Sequence, residues 1–221
     1  GKLREDKAYS RHPGSLYRVF IRLGYRKKVE STKKKSKHNG HYDTPTELGI
    51  KWQMDVKYVP YVCYVGTDGE KFYQYTMLEE ASRKRFIYAY KENSSHSTVD
   101  FVQRAIIFFG YAPETIQTDH GGEFTHTQKT NRVHPFDILC NKLHITHKVL
   151  RPRTPWHNGK VERSHRNDQE RFYNHLSFYS YDDLQVQMKR YLYRSNNIPM
   201  SVLGWKTPNQ KQYELENMIY A

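Results

Sequence analysis

The sequence is poor in cysteine and in long apolar runs. Only Cys63 and Cys140 occur among its 221 residues, too few for a disulfide framework or a cysteine-rich zinc cluster, and this usage fits a reducing, intracellular compartment. Purely apolar runs are short, as in 105–109, far below the length of a membrane span, so we expect no membrane partner. Acidic residues are also outnumbered, since 23 Asp and Glu face 36 Lys and Arg, a net charge of +13. This basic balance favours nucleic acid as the partner.

Most of the positive charge lies in residues 1–45, where thirteen Lys and Arg face four acidic residues. A basic arm attracts DNA phosphates by counterion release without reading sequence, although a solvated tail has the same composition. Apolar spacing over 15–24 predicts a short helix. We therefore expect residues 1–45 to form a basic N-terminal arm or linker, one interpretation of which is the remnant of a helix-turn-helix DNA-binding domain. The predicted DNA contacts of this arm are Lys33, Lys34 and Lys35.

Residues 46–213 have the pattern of a globular α/β domain, followed by a C-terminal tail at 214–221. Alternating apolar residues and β-branched runs predict strands at 52–58, 61–65, 72–78, 86–90, 115–118 and 146–150. Helical spacing predicts helices at 97–109, 135–143, 158–175 and 182–194. Strands that come first and then alternate with helices indicate a mixed sheet flanked by helices.

Three carboxylates occupy positions typical of a metal site. Asp55 lies in the middle of the first strand, where charged residues are uncommon unless paired or bound to metal. Asp119 ends another strand at a glycine-rich turn, and Glu162 begins the long helix, whose apolar stripe is interrupted by His165 and Asp168. Asp119 has an ordinary explanation as a turn or cap residue, and Glu162 has one as a partner of the helix dipole. Together the three carboxylates form a set of hard oxygen ligands suited to Mg²⁺ or Mn²⁺.

These residues stand in an order that resembles a known family. The segments 52–56, 118–124 and 155–163, which read Trp-Gln-Met-Asp-Val, Thr-Asp-His-Gly-Gly-Glu-Phe and Pro-Trp-His-Asn-Gly-Lys-Val-Glu-Arg, resemble the catalytic core of integrases and DDE transposases. Ala-Ser-Arg at 81–83 and Leu-Gly-Trp-Lys-Thr-Pro at 203–208 match two further signatures. The similarity is to bacterial insertion-sequence transposases with a retroviral-integrase-type core.

The resemblance implies a ribonuclease H-like fold with a mixed five-stranded sheet. It implies that Asp55, Asp119 and Glu162 are the catalytic, metal-binding triad, holding two Mg²⁺ (or Mn²⁺) ions. The implied activity is cleavage at the ends of a DNA element followed by strand transfer into target DNA. The implied partners are element ends, target DNA and further copies of the chain in a synaptic complex, with no small-molecule substrate. We expect a cytoplasmic, nucleoid-associated protein of a bacterial host.

Further residues are expected to support the triad. His120 stands where the family commonly has Asn, and we expect it to lie around the ligands together with Glu123 and Asn158. Basic residues near the same motifs are interpreted as DNA contacts, with a solvated basic face as the alternative. These residues are Lys148, Arg151, Lys160, Arg163 and Arg166.

The sequence also bears on three alternative functions. A tyrosine recombinase would need a His-x-x-Arg box, and none of the twelve histidines begins one. A ribonuclease H-like nuclease without strand transfer has overlapping chemistry and stays open, although the closing segment 203–208 argues against it. A domesticated, non-catalytic DNA-binding protein also stays open, although all three carboxylates are present.

Overall fold

The computed structural model describes residues 13–25, 44–66, 69–150 and 158–219. The chain divides into two compact units, 1–43 and 44–221. In the first unit, helix α1 (Pro13–Arg22) occupies the region where apolar spacing predicts a helix. Gly24 follows it with φ +74°, the left-handed conformation that commonly ends a helix.

The centre of the second unit is a sheet whose first three strands form an antiparallel meander. Strand β1 (Lys51–Tyr58) pairs with β2 (Tyr73–Glu79), which pairs with β3 (Arg85–Tyr90). Side chains alternate between the two faces of a strand. Trp52 and Met54 are fully buried on one face of β1, so the odd-numbered residues of β1 lie on the other.

Two parallel strands complete the sheet. Strands β4 (Thr115–Thr118) and β5 (Thr146–Val149) extend it in the order β3-β2-β1-β4-β5, with β1–β4 and β4–β5 parallel. The crossover to β4 is helix α2 (Ser95–Phe109). The Ser94 hydroxyl accepts a hydrogen bond from the amide of Ser97 at its start. The predicted mixed five-stranded sheet is therefore confirmed.

Helices cover both faces of the sheet. Helices α2 and α3 (Pro135–Lys142) pack on the Trp52 face, in an apolar core that includes Phe101 and Phe136. Helices α4 (Gly159–Arg171) and α5 (Tyr181–Asn196) cover the other face, where the residues packed under α5 are apolar. Helix α6 (Pro208–Ile219) follows, and the sequence patterns did not predict it. Among the described ranges, no helix has the length and apolar character needed to cross a bilayer.

The strand predicted at 61–65 is wrong. Tyr61–Cys63 forms a single 3₁₀ turn directly after Pro60, and only Tyr64 makes an isolated bridge, to Phe178. Proline cannot donate to a sheet ladder and often begins a turn. The predicted helix at 158–175 is also shorter, since α4 ends at Arg171 and a separate 3₁₀ turn follows at Tyr173–His175.

Candidate active site

The pairing of β1 with β4 brings two of the predicted carboxylates together. The parallel register pairs Trp52 with Ile116 and Gln53 with Gln117. Continuing this register by two residues sets Asp55 beside Asp119, which lies directly after the last residue of β4. This is the carboxyl end of a parallel strand, where ligands gather in open α/β sheets.

Helix α4 brings the third carboxylate to the same place. Gln53 and Asp55 lie on the face of β1 that α4 covers, and the Gln53 amide oxygen accepts a hydrogen bond from the Val161 amide at 3.1 Å. One turn later, Nδ1 of His165 lies 3.4 Å from Oδ2 of Asp55. Residues three apart share one side of a helix, so Glu162 and His165 both lie on the Asp55 side.

The electrostatics show the carboxylates acting on one another. Burial and the negative charge of Asp119 raise the pKa of Asp55 to about 7, with smaller increases from Glu162 and Glu123, against a hydrogen bond from the Val56 amide that lowers it. Like charges disfavour ionisation only when they are close. Asp119 and Glu162 therefore lie close enough to Asp55 to raise its pKa, and Glu123 is a third carboxylate with the same effect.

The turn after β4 has a specific geometry. Oδ1 of Asp119 accepts a hydrogen bond from the Gly121 amide at 2.9 Å. The Glu123 carboxyl group lies against Gly121, so close that a Cβ atom there would approach it to 2.6 Å. A side chain at position 121 would therefore displace the flexible carboxyl end of Glu123. The turn thus places the Glu123 carboxyl group beside Gly121, close to Asp119 in sequence.

The donor set fits a divalent cation by its chemistry. Carboxylate oxygens suit Mg²⁺ or Mn²⁺, and a cation would relieve the repulsion that burial and neighbouring charges impose on Asp55. In the part of the chain that the structure describes, no three His, Cys, Asp or Glu side chains already converge as an ion-binding cluster. Asp119 and Glu162 are exposed, and exposed side chains change rotamer readily. Coordination by all three carboxylates therefore requires rotation of these two.

His165 joins the site to a buried polar network that was not predicted. Its Nε2 lies 3.0 Å from the Thr76 hydroxyl, which accepts a hydrogen bond from the Gln74 amide group at 2.9 Å. Burial lowers the pKa of His165 to about 4, so the imidazole is neutral at pH 7. Because Thr76 keeps its own proton to donate to Nε2, this arrangement directs Nδ1–H towards Asp55.

Asp168 is the centre of that network and lies in the core. It is fully buried and forms an ion pair of 2.6 Å with Arg85 on β3. It also accepts hydrogen bonds from Gln74 at 2.8 Å and from the Tyr191 hydroxyl at 2.9 Å. The interrupted apolar stripe of α4 was the sequence signal for both His165 and Asp168. Only His165 reaches the triad.

The predicted DNA contacts lie in different environments. Lys160 is partly buried, and its ammonium group pairs with the buried carboxylate of Glu80 and donates to Thr44 at 3.0 Å. Burial, opposed by Glu80, lowers the pKa of Lys160 to about 8. Arg163 and Arg166 are exposed on α4. The structure therefore ties Lys160 into the fold and leaves the two arginines at the surface.

The remaining predicted residues divide between surface and interior. Lys148 is exposed on the edge strand β5, and His120 is exposed in the turn after Asp119. Asn158 is buried at the start of α4, and among the described residues its Oδ1 has no hydrogen-bond partner. Four predicted DNA contacts lie outside the described residues: Lys33, Lys34, Lys35 and Arg151.

Several known proteins are similar to this chain. Two family models, both described as integrase core domain, match residues 45–155 and 143–208. The chain is 28% identical over 183 residues to the ORF3 protein of Spiroplasma virus SpV1-C74, which is named as a candidate integrase; the match covers 79% of this chain and 49% of that protein. It is 30% identical over 100 residues to a retrovirus-related Pol polyprotein of transposon TNT 1-94 from Nicotiana tabacum, covering 44% of this chain and 7% of the polyprotein. The chain thus spans about half the length of the first relative.

Several retroviral integrase structures have the same fold. The integrase catalytic core of HTLV-2 in complex with magnesium, in a trimeric form, gives a TM-score of 0.55 at 20% identity, covering 75% of this chain and 97% of that one. The BIV integrase core gives 0.57 at 22% identity, covering 78% and 99%. A chain of the simian T-cell lymphotropic virus intasome in complex with PP2A regulatory subunit B56 gamma gives 0.59 at 19% identity, covering 78% and 57%. These likenesses confirm the predicted ribonuclease H-like fold.

Proposed function

This chain belongs to the integrase core domain family, and we propose that it cleaves DNA at the ends of a mobile element and joins those ends to target DNA. The observation that supports the proposal is the register that sets Asp55 beside Asp119 at the carboxyl edge of the sheet, with Glu162 on the side of α4 where His165 contacts Asp55. The three carboxylates come from two strands and a helix that are far apart in sequence. A partly buried carboxylate whose ionisation is disfavoured by neighbouring acidic side chains supports a role in metal binding.

The proposed chemistry is two successive phosphoryl displacements. In the first, water attacks a phosphodiester near the element end, and the broken P–O bond frees a 3′-hydroxyl. In the second, that hydroxyl attacks a target phosphodiester, so that one P–O bond forms as another breaks. When bound, two Mg²⁺ (or Mn²⁺) ions stabilise the charge that develops on the attacking and leaving oxygens. No covalent bond to the protein forms, so no nucleophilic serine or tyrosine is required.

The chain's own residues have positioning roles in this proposal. Asp55 is fixed on the central strand, and His165 lies beside it as a neutral imidazole. Asp119 lies in the turn after β4 and Glu162 lies on α4. Both side chains are exposed, so they can change rotamer to bind the ions. The proposed division is therefore one rigid ligand and two adjustable ligands.

Each triad member can be tested by an isosteric change that removes its charge. We expect Asp55→Asn, Asp119→Asn and Glu162→Gln to lose both cleavage and joining of labelled element ends by at least about a thousandfold, since metal clamping contributes several kcal/mol. Glu92→Gln is the matched control, because Glu92 is an exposed carboxylate after β3, at the opposite edge of the sheet from β5. Joining at the unchanged rate by any folded triad variant would refute the assignment.

The same assay separates the two open alternatives. A nuclease without strand transfer would release the cleaved end and never produce the joined product. A non-catalytic DNA-binding protein would show neither product while retaining DNA affinity. Joined product that depends on Mg²⁺ or Mn²⁺ and disappears with EDTA supports the proposed activity over both.

We also propose DNA and further copies of this chain as the partners. One HTLV-2 integrase core with the same fold was solved in dimeric and trimeric forms, and two element ends must meet for coordinated joining. Sedimentation of the chain with and without an end-containing duplex tests this. A complex that contains one chain per DNA at saturating concentrations would contradict it.

A further inference from the structure

A basic cleft lies beside α4, apart from the triad. It encloses about 460 Å³ between α4, the turn after β2 and the segment that follows α5. None of the described residues that line it is acidic. Its lining includes the side chains of five cations: Arg83, Arg85, Lys160, Arg163 and Arg171.

Helix α4 forms a wall that the cleft shares with the triad. Arg163, Asn167 and Arg171 line the cleft and follow one another at intervals of four, so they lie along one helix face. Successive residues turn by about 100° around a helix, so this face lies well around the helix axis from Glu162 and His165. The same helix thus presents carboxylate to the metal site and guanidinium groups to the cleft.

Arg85 and Lys160 form ion pairs inside the fold, and Arg83 also has an interaction within it. Arg85 pairs with Asp168, and Lys160 pairs with Glu80. Arg163 and Arg171 are exposed and have no ion pair with any residue that the structure describes. Positive charge at the cleft mouth is therefore not balanced by the described part of the chain.

Arg83 provides an independent observation. Its φ is +60°, a left-handed conformation that residues other than glycine rarely adopt. The tight turn is held by the Glu79 carboxylate, which accepts hydrogen bonds from the amide of Ser82 at 2.5 Å and from its hydroxyl at 2.7 Å. Glycine would fit this backbone without strain, yet the chain has an arginine there, lining the cleft. A strained residue at a tightly held turn points to a use for its side chain.

We propose that this cleft binds the phosphodiester backbone of DNA, at phosphates other than the one that reacts at the triad. The proposal rests on DNA being the substrate, as proposed above. Guanidinium groups match phosphate oxygens in geometry and stay charged at all relevant pH values. Arg166, exposed on α4 between the Glu162 side and the Arg163 side, gives a continuous basic path from the triad to the cleft. A duplex whose backbone is bound in the cleft would therefore stay bound to the protein while the phosphodiester at the triad reacts.

The test measures DNA affinity without catalysis. Fluorescence anisotropy of a labelled duplex, in EDTA and over a range of salt concentrations, compares wild type with Arg83→Gln/Arg163→Gln/Arg171→Gln. We expect Kd to rise by about tenfold or more and the salt slope to fall by about two to three, because each phosphate contact contributes nearly one unit. The matched control is Lys189→Gln/Arg190→Gln/Arg194→Gln, which removes the same charge from exposed positions on α5. Equal losses in the two triple variants would overturn the proposal.

Arg83→Gly separates binding from folding. It relieves the left-handed strain, so we expect the melting temperature to stay the same or rise while DNA affinity falls by severalfold. Unchanged affinity in this variant would overturn a binding role for Arg83. If the cleft instead holds an acidic protein segment, a poly-aspartate peptide will lose affinity for the triple variant while DNA will not, which also overturns the proposal.

These results are independent of the activity test. A chain that loses affinity through the cleft variants but never cleaves DNA would contradict the proposed function and leave the cleft assigned. A chain that cleaves and joins DNA with unchanged affinity in the cleft variants would contradict the cleft alone. Glu162→Gln, measured in EDTA, is expected to bind DNA like the wild type or better because it removes a negative charge.

Discussion

Removal of the Asp168 carboxylate is expected to be one of the most destabilising single changes in this fold. The side chain is fully buried; it forms an ion pair with Arg85 at 2.6 Å and accepts hydrogen bonds from the Gln74 amide and the Tyr191 hydroxyl. In Asp168→Ala these three groups lose their shared partner. Arg85, which is itself buried, becomes a positive charge without a counter-ion.

The magnitude follows from that uncompensated charge. Breaking a buried ion pair by removing one partner costs about 3–5 kcal/mol. A single domain is stable by about 5–15 kcal/mol, so the loss is a large share of the total. For a domain of this size each kcal/mol lowers the melting temperature by about 2–4 °C. Asp168→Ala should therefore melt about 6–20 °C below the wild type.

Urea unfolding and thermal melting followed by circular dichroism measure this directly. Glu170→Ala is the control, since Glu170 is an exposed acid on the same helix, and it should stay within about 0.5 kcal/mol of wild type. The double variant Arg85→Met/Asp168→Leu removes the charge with its partner and should recover at least half of the loss. A stability change below about 1 kcal/mol in Asp168→Ala would refute the reasoning.

Three further changes have expected outcomes in stability. Burial lowers the pKa of His134 below its ordinary value, and its Nδ1 accepts the hydrogen bond that starts α3. The contribution of His134 to stability should therefore be complete above about pH 6.5 and be lost as the pH falls towards its pKa in the folded state. Urea midpoints measured against pH should fall less steeply in His134→Asn. Gly110 ends α2 at φ +85°, so Gly110→Ala should cost about 1–2 kcal/mol in chemical denaturation although no atom obstructs the new methyl group. Lys160→Met leaves the fully buried Glu80 with one fewer partner and should cost about 1–3 kcal/mol in the same assay, with Lys160→Arg recovering part of it.

The sequence predicted the sheet better than its surroundings, for physical reasons. Strand β1 combines strict alternation with aromatic and β-branched residues, a pattern that only a half-buried strand produces. The run at 61–65 has the same composition without a polar alternation, and Pro60 directs it into a 3₁₀ turn. Helix α6 was missed because its buried positions include the polar Gln212 as well as Leu215, so its apolar stripe is too weak to recognise.

The sequence suggests the ligands of the candidate site but not the contacts that support them. Asp55, Asp119 and Glu162 stand out because each lies in a segment that resembles the integrase core. The partners of His165 and Asp168 could not be predicted, because Thr76, Gln74 and Arg85 lie on neighbouring strands 83 to 94 residues earlier. Single-sequence patterns show which residues are polar, and long-range pairing of buried polar groups appears only when the sheet register is known.

That unpredicted support explains how α4 is fixed on the sheet although it buries little apolar surface. Its buried residues are Val161, Ser164 and Asp168, and only the first is apolar. Hydrophobic burial therefore supplies little of the energy that fixes α4 on the sheet. The helix is held by directional contacts, the Val161 amide to Gln53 and Asp168 to Arg85, which fix its rotation as well as its position. An apolar seat would permit sliding and rotation, whereas this polar seat keeps Glu162 on the Asp55 side.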